Sequence, residues 1–264
     1  MNVVDRGSGP PLVVIPGVQG RWEYVDPAIS ALAEHFRVIS FALAGDRASG
    51  FSFDEARGLD NYVDQITAVM NDRGLERAPI CGISFGGLAA LRFAATASDR
   101  TSALVLVSTP GPGFYLKRRH KLYSSLPWMF VPLFLAETPL RLRREIATAF
   151  PSWRSRAAFS LSQTAKLFTA PISVAAMARR ARVLGRLELE RDCARVSAPT
   201  LVVTGERTLD RIVPVEGTEG YARLIDGAQQ VVIEQTGHLG CNTRPREFAR
   251  VVHDFLSRRQ HAAA

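Results

Sequence analysis

Six short apolar, β-branched runs recur along the chain, at 12–15, 38–41, 79–82, 103–107, 200–204 and 230–234. Stretches with helical spacing lie between most of them, at 23–34, 60–73, 86–97, 215–225 and 246–257. No other feature constrains the fold as much. A strand, a helix and then another strand in the same sheet require a crossover, so the alternation predicts a mostly parallel sheet with helices on both faces, an α/β architecture. The 264 residues, 47% of them hydrophobic, suffice for one large core. The alternation fails between 110 and 195, where the sequence reads as short helices. Thr138 can cap one that Pro139 begins, Ser152 can cap another, and a third spans 172–184. The simplest organisation is a helical insertion, 111–195, in a sheet domain made of 1–110 and 196–264.

The run LPWMFVPLFLA at 126–136 falls far short of the roughly 20 apolar residues of a membrane-spanning helix. The start, MNVVDRGSGPP, has no basic segment followed by an apolar one, so a cytoplasmic protein is expected. Cys81, Cys193 and Cys241 are scattered without metal-ligand spacing, which predicts reduced thiols and no metal site; no cofactor is expected. The net charge of +8 is concentrated. Residues 111–195 hold 16 Lys and Arg against 5 Asp and Glu, and the remainder 17 against 20. Such a segment can attract anionic substrates or an anionic membrane surface. No nucleic-acid-binding motif accompanies the charge, so a nucleic-acid partner is not expected.

The stretch ICGISFGGLAA, at 80–90, puts a serine between glycines where a buried strand ends and a helix begins. A turn that sharp strains the serine backbone, and glycines at 82 and 86 avoid collisions across it. Ser84 is then exposed at the carboxyl edge of the sheet, beside a helix N-terminus that favours developing negative charge. Of the five histidines, His238 in EQTGHLG follows the last predicted strand and so reaches the same edge. His35, His120, His253 and His261 read as surface or packing residues. Asp210, in TGERTLDRIVP after the strand at 200–204, can orient that imidazole and stabilise its charged form. The order is Ser, Asp, His.

These motifs resemble the α/β-hydrolase superfamily, and in particular its compact bacterial esterase and lactonase-like members with a helical cap after the sixth strand. The resemblance covers GSGPPLVVIPG, GISFGG, DRIVPV, and GHLG followed by PREFARVVHDFL. It implies Ser84 as nucleophile, His238 as base and Asp210 as acid, with an oxyanion hole from the backbone N–H groups of Phe85 and Val18. Pro16-Gly17 stands where His-Gly is common. Two additional residues separate Gly205 from Asp210, although the DxxVP spacing is kept; Thr208 fills the upstream register and Glu206 is the alternative acid. The family's first strand is expected to be absent, leaving about seven.

A serine at the elbow excludes the alkyl-ester chemistry of haloalkane dehalogenases and epoxide hydrolases. The expected reaction is cleavage of a carboxylic ester, or a related lactone or thioester, through an acyl-enzyme on Ser84. Carbon–carbon bond hydrolysis or perhydrolysis on the same triad is the alternative, and a non-hydrolytic ligand receptor is the competing class. Trp128, Met129, Phe130 and Phe134 are either the packing face of the cap or the wall of a pocket for an apolar acyl group. A lid over Ser84 would turn this stretch inward and its arginines to solvent.

Overall fold

A computed structural model describes residues 2–115 and 118–263, and within them every side chain except those at 119–121, 127, 130–136, 186 and 259–263. Strands β1 (Val3–Arg6), β2 (Pro11–Ile15), β3 (Arg37–Phe41), β4 (Ala78–Ile83), β5 (Thr101–Val107), β6 (Thr200–Thr204) and β7 (Gln229–Val232) form one sheet in the order β1-β3-β2-β4-β5-β6-β7. The β1–β3 pair is antiparallel and the other pairs are parallel. The seventh strand, VVDR, had no apolar run to announce it. It is a four-residue edge strand with no fully buried residue.

Helices α1 (Asp26–Leu32), α2 (Asp60–Asp72) and α3 (Phe85–Thr96) connect the first five strands, and α4 (Arg118–Ser125), α5 (Pro127–Ala149), α6 (Trp153–Thr169), α7 (Val174–Val183) and α8 (Leu189–Cys193) lie between β5 and β6. The chain closes with α9 (Val215–Leu224), α10 (Gly240–Thr243) and α11 (Pro245–Ala263). Successive strand residues face opposite sides. Val13, Ile15, Ile80 and Leu104 therefore join one core with residues of α2 and α3, while Leu12, Val14, Cys81 and Val105 join a second with α1 and α11. Each fully buried Val, Leu or Ile contributes about 1.5–3 kcal/mol, and both faces are filled with them.

The strand order fixes the position of the site. From β2 the chain steps to β3 on one side, then returns to β4 on the other. Connections leaving adjacent strands in opposite directions open a crevice at their carboxyl ends, where ligands bind in open α/β sheets. Residues 16–20, after β2, and Ser84, after β4, border that crevice.

The insertion differs from its sequence reading in two respects. Thr138 and Pro139 do not start a helix, because α5 runs unbroken from Pro127 to Ala149. Proline inside a helix costs a hydrogen bond and a steric clash, and packing of α5 against α4 and α7 outweighs it. Ser152 caps α6 as expected, its side chain accepting Arg154 N–H, and the helix expected at 172–184 is α7, where the Ser173 side chain accepts Ala176 N–H; α4 and α8 had no sequence reading. Nor do all the arginines face solvent. Arg143 and Arg144 do, but Arg180 is 1% exposed and donates to the carbonyls of Val18, Leu43 and Ala44 at 3.1–3.2 Å. Arg179 donates to the Gly45 carbonyl, and Arg182 pairs with Glu55. Three main-chain oxygens offer a buried guanidinium what water would otherwise supply. Among the described residues no helix is long and apolar enough to cross a membrane.

Candidate active site

Ser84 stands between β4 and α3 with φ 53° and ψ −121°, a conformation that L-residues rarely adopt. Glycine makes the turn possible. A Cβ on Gly82 would lie 2.4 Å from the Gly86 carbonyl oxygen, and one on Gly86 would lie 2.2 Å from the Ile15 carbonyl oxygen. Ser84 N–H donates to the Val107 carbonyl at 2.7 Å, which ties the elbow to β5.

His238 Nε2 lies 3.0 Å from Ser84 Oγ, and its Nδ1 lies 3.2 Å from Asp210 Oδ2. Asp210, 8% exposed, also accepts the Ile212 and Val213 N–H groups on Oδ1, both at 2.9 Å. The two additional residues of this loop are absorbed locally. Leu209 and Asp210 N–H groups turn back to the Glu206 carbonyl at 3.0 and 3.1 Å, which returns Asp210 to the imidazole. The Glu206 carboxylate instead accepts Gln235 N–H at 2.6 Å, and Thr208 is exposed. Burial alone would lower the His238 pKa, but the Asp210 charge and hydrogen bond, joined by Glu145, outweigh it and raise it.

The loop after β2 closes on the serine, for a Cβ on Gly17 would stand 3.6 Å from Ser84 Cβ. Gly20 N–H donates to the Gly17 carbonyl at 2.9 Å, and Arg180 holds the Val18 carbonyl. No described residue accepts the N–H of Val18 or Phe85. Two free donors beside a serine that abuts an imidazole can stabilise an oxyanion.

Of the four aromatic and sulfur side chains expected near the acyl group, Trp128 and Met129 are 73% and 62% exposed, so the structure does not bring these two against Ser84. The Phe130 and Phe134 side chains lie outside the described residues, as does that of His120. The His35 and His253 rings pack on each other at a 34° tilt, with centroids 4.6 Å apart. All three cysteines are buried and unpaired. Among the described residues no cluster of His, Cys, Asp and Glu could hold a metal ion.

Glu145, from α5, is a neighbour that the motifs did not announce. It is 1% exposed and accepts Leu239 N–H at 2.7 Å. Burial pushes its pKa up to about 7. A signal was present, because Glu145 takes the inner position in the pattern Leu142, Glu145, Ile146, Ala149 on α5. A carboxylate on an otherwise inward helix face asks for a partner.

The family model for the alpha/beta hydrolase family matches residues 12–251. The chain is 27% identical to the 2-hydroxy-6-oxo-2,4-heptadienoate hydrolase of Pseudomonas putida, covering 97% of this chain and 92% of that one. It is 25% identical to the pimeloyl-[acyl-carrier protein] methyl ester esterase of Nitrosomonas europaea, covering 94% and 96%. A thermophilic esterase from Thermogutta terrifontis superimposes with a TM-score of 0.78 at 25% identity, over 97% of this chain and 92% of that one.

Proposed function

Because the chain belongs to the alpha/beta hydrolase family, we propose that Ser84 is its nucleophile, His238 its general base and Asp210 the acid that orients the base, and that the bond cleaved is a carboxylic ester or a related lactone or thioester. The reaction is of the serine-hydrolase type. One observation supports the residue roles above all: the line from Ser84 Oγ through His238 to Asp210, with contacts of 3.0 and 3.2 Å, starting from a strained serine.

In this reading His238 Nε2 takes the Ser84 proton as Oγ bonds to the carbonyl carbon. Negative charge gathers on the carbonyl oxygen, and the N–H groups of Val18 and Phe85 receive it. The imidazolium, held by Asp210, protonates the leaving alkoxide as the ester bond breaks. Water then attacks the acyl-enzyme, with His238 again accepting a proton, and releases the acid and Ser84. We treat 111–195 as a cap on a core of 1–110 and 196–264, and the protein as cytoplasmic, on the ground of three unpaired thiols.

Steady-state kinetics on nitrophenyl esters of increasing acyl length, with lactones and thioesters beside them, tests the ester reading. A graded preference among the esters supports it. Turnover of none of these carbonyl compounds overturns it.

A specific observation also favours peripheral contact with an anionic membrane. Trp153, Leu161 and Phe168 of α6 are 72%, 71% and 84% exposed. At about 100° per residue they fall within about 80° of one another on the helix. From 146 to 187 the chain has seven Lys and Arg and no carboxylate. An exposed apolar stripe on a basic segment has the pattern of a helix that lies on anionic lipid.

A further inference from the structure

The inward-facing Glu145 carboxyl bridges two parts of the molecule. Helix α5 belongs to the insertion, whereas Leu239, whose N–H it accepts at 2.7 Å, directly follows His238 on the loop after β7. The titratable groups near it, on the elements packed against it, are His238, Asp210 and Cys241. Among the described residues no lysine or arginine pairs with it. Arg141, one turn earlier, is engaged with Glu137 at 2.5 Å. Among the described residues the carboxyl is therefore buried beside the triad without a cation of its own, and the positive charge that acts on it is that of His238, the imidazolium formed in catalysis.

We propose that Glu145 is a positioning residue whose carboxylate, carried on α5, grips the backbone of the His238 loop and sets a second negative charge beside the imidazole, so that the base is fully assembled only when this helix is docked. The inference rests on the reading of His238 as the base. Asp210 fixes the ring from the core side through Nδ1, and Glu145 fixes the main chain next to it from the insertion side. Two carboxylates near one imidazolium stabilise it more than one does.

A structural role alone makes a different prediction. A buried carboxyl whose pKa is raised to about 7 contributes least to stability once the pH passes that value, because its charged form is the one burial disfavours. Glu145→Gln keeps the shape and an acceptor oxygen and removes the charge, so it should melt no lower than wild type at pH 8. Glu145→Ala removes both charge and acceptor.

The test follows the His238 Cε1–H resonance by NMR against pH, assigned by its loss in His238→Ala, together with the pH profile of kcat/KM. In Glu145→Gln the His238 protonation midpoint is expected to fall by about one pH unit, a tenfold weaker proton affinity, and the acid limb of kcat/KM to move with it. Glu145→Ala should lose on the order of 10- to 100-fold in kcat, with KM changed far less. At pH 8 Glu145→Gln should recover only the part of that loss that belongs to the hydrogen bond from Leu239 N–H. A His238 midpoint and pH profile in Glu145→Gln that superimpose on wild type, or a wild-type kcat in Glu145→Ala, overturn the proposal. The NMR midpoint needs no turnover. A moved midpoint in a protein without esterase activity would therefore count against the ester reading and leave the coupling of Glu145 to His238 standing.

Discussion

Ser84 at φ 53°, Asp210 with both oxygens occupied and His238 between them form a chain in which each residue depends on the next. Asp210 is held by two backbone N–H groups as well as by the imidazole, so Asp210→Asn keeps the loop but favours the wrong tautomer of His238. The expected loss in kcat is about 10,000-fold. Glu206→Gln, which alters only the contact to Gln235, should stay within a few-fold of wild type. The opposite ranking in steady-state kinetics would transfer the acid role to Glu206. As the proposed base His238 must be neutral to act, and its pKa is raised chiefly by Asp210 against the effect of burial. The rate should therefore fall on acidification with a midpoint above the ordinary histidine value of about 6.5. A midpoint below 6 in the pH profile of kcat/KM would contradict the geometry. At this scale the sequence was informative where a residue sits in a motif with fixed spacing, as with Ser84 in GISFGG or Asp210 in DRIVPV. Glu145 and Arg180 sit in no such motif, and their roles arise from helices folding back onto loops more than 90 positions away. Local spacing does not encode which arginine of a basic helix turns inward.

The elbow between β4 and α3 depends on close packing of main chain. Gly86→Ala would drive a Cβ to 2.2 Å from the Ile15 carbonyl oxygen, so β2 and α3 must separate. Thermal denaturation should show a loss of roughly 1–3 kcal/mol, together with loss of activity; an unchanged melting curve would mean that the elbow is looser than described. Helix α6 carries a different prediction. If its stripe lies on lipid, the wild type should sediment with phosphatidylglycerol-containing vesicles and be released by high salt. The combined change Trp153→Ser, Leu161→Ser and Phe168→Ser should weaken that binding by tenfold or more. Salt-insensitive binding unaffected by the three changes, or a concentration-dependent dimer abolished by them, would assign the stripe to something other than lipid. Strand and helix alternation was readable for the core because its runs are short, apolar and bounded. The insertion was less so, since α5 continues through two prolines that local propensity takes as breaks.

Across the whole molecule, the sheet order puts the loops after β2, β4, β6 and β7 along one edge, and it is these loops that bring residues 17, 84, 210 and 238 together from across most of the chain. Each of those elements could be read from its own segment. Their shared edge followed from a parallel sheet, but the distances between the loops could not be read, because they depend on the crossovers. If this edge carries a nucleophilic serine, treatment with a fluorophosphonate followed by mass spectrometry should give one adduct per chain, mapped to the peptide containing Ser84, formed at a rate that falls with Asp210→Asn and absent in Ser84→Ala. An adduct of the same stoichiometry in Ser84→Ala, or none in wild type, would contradict it.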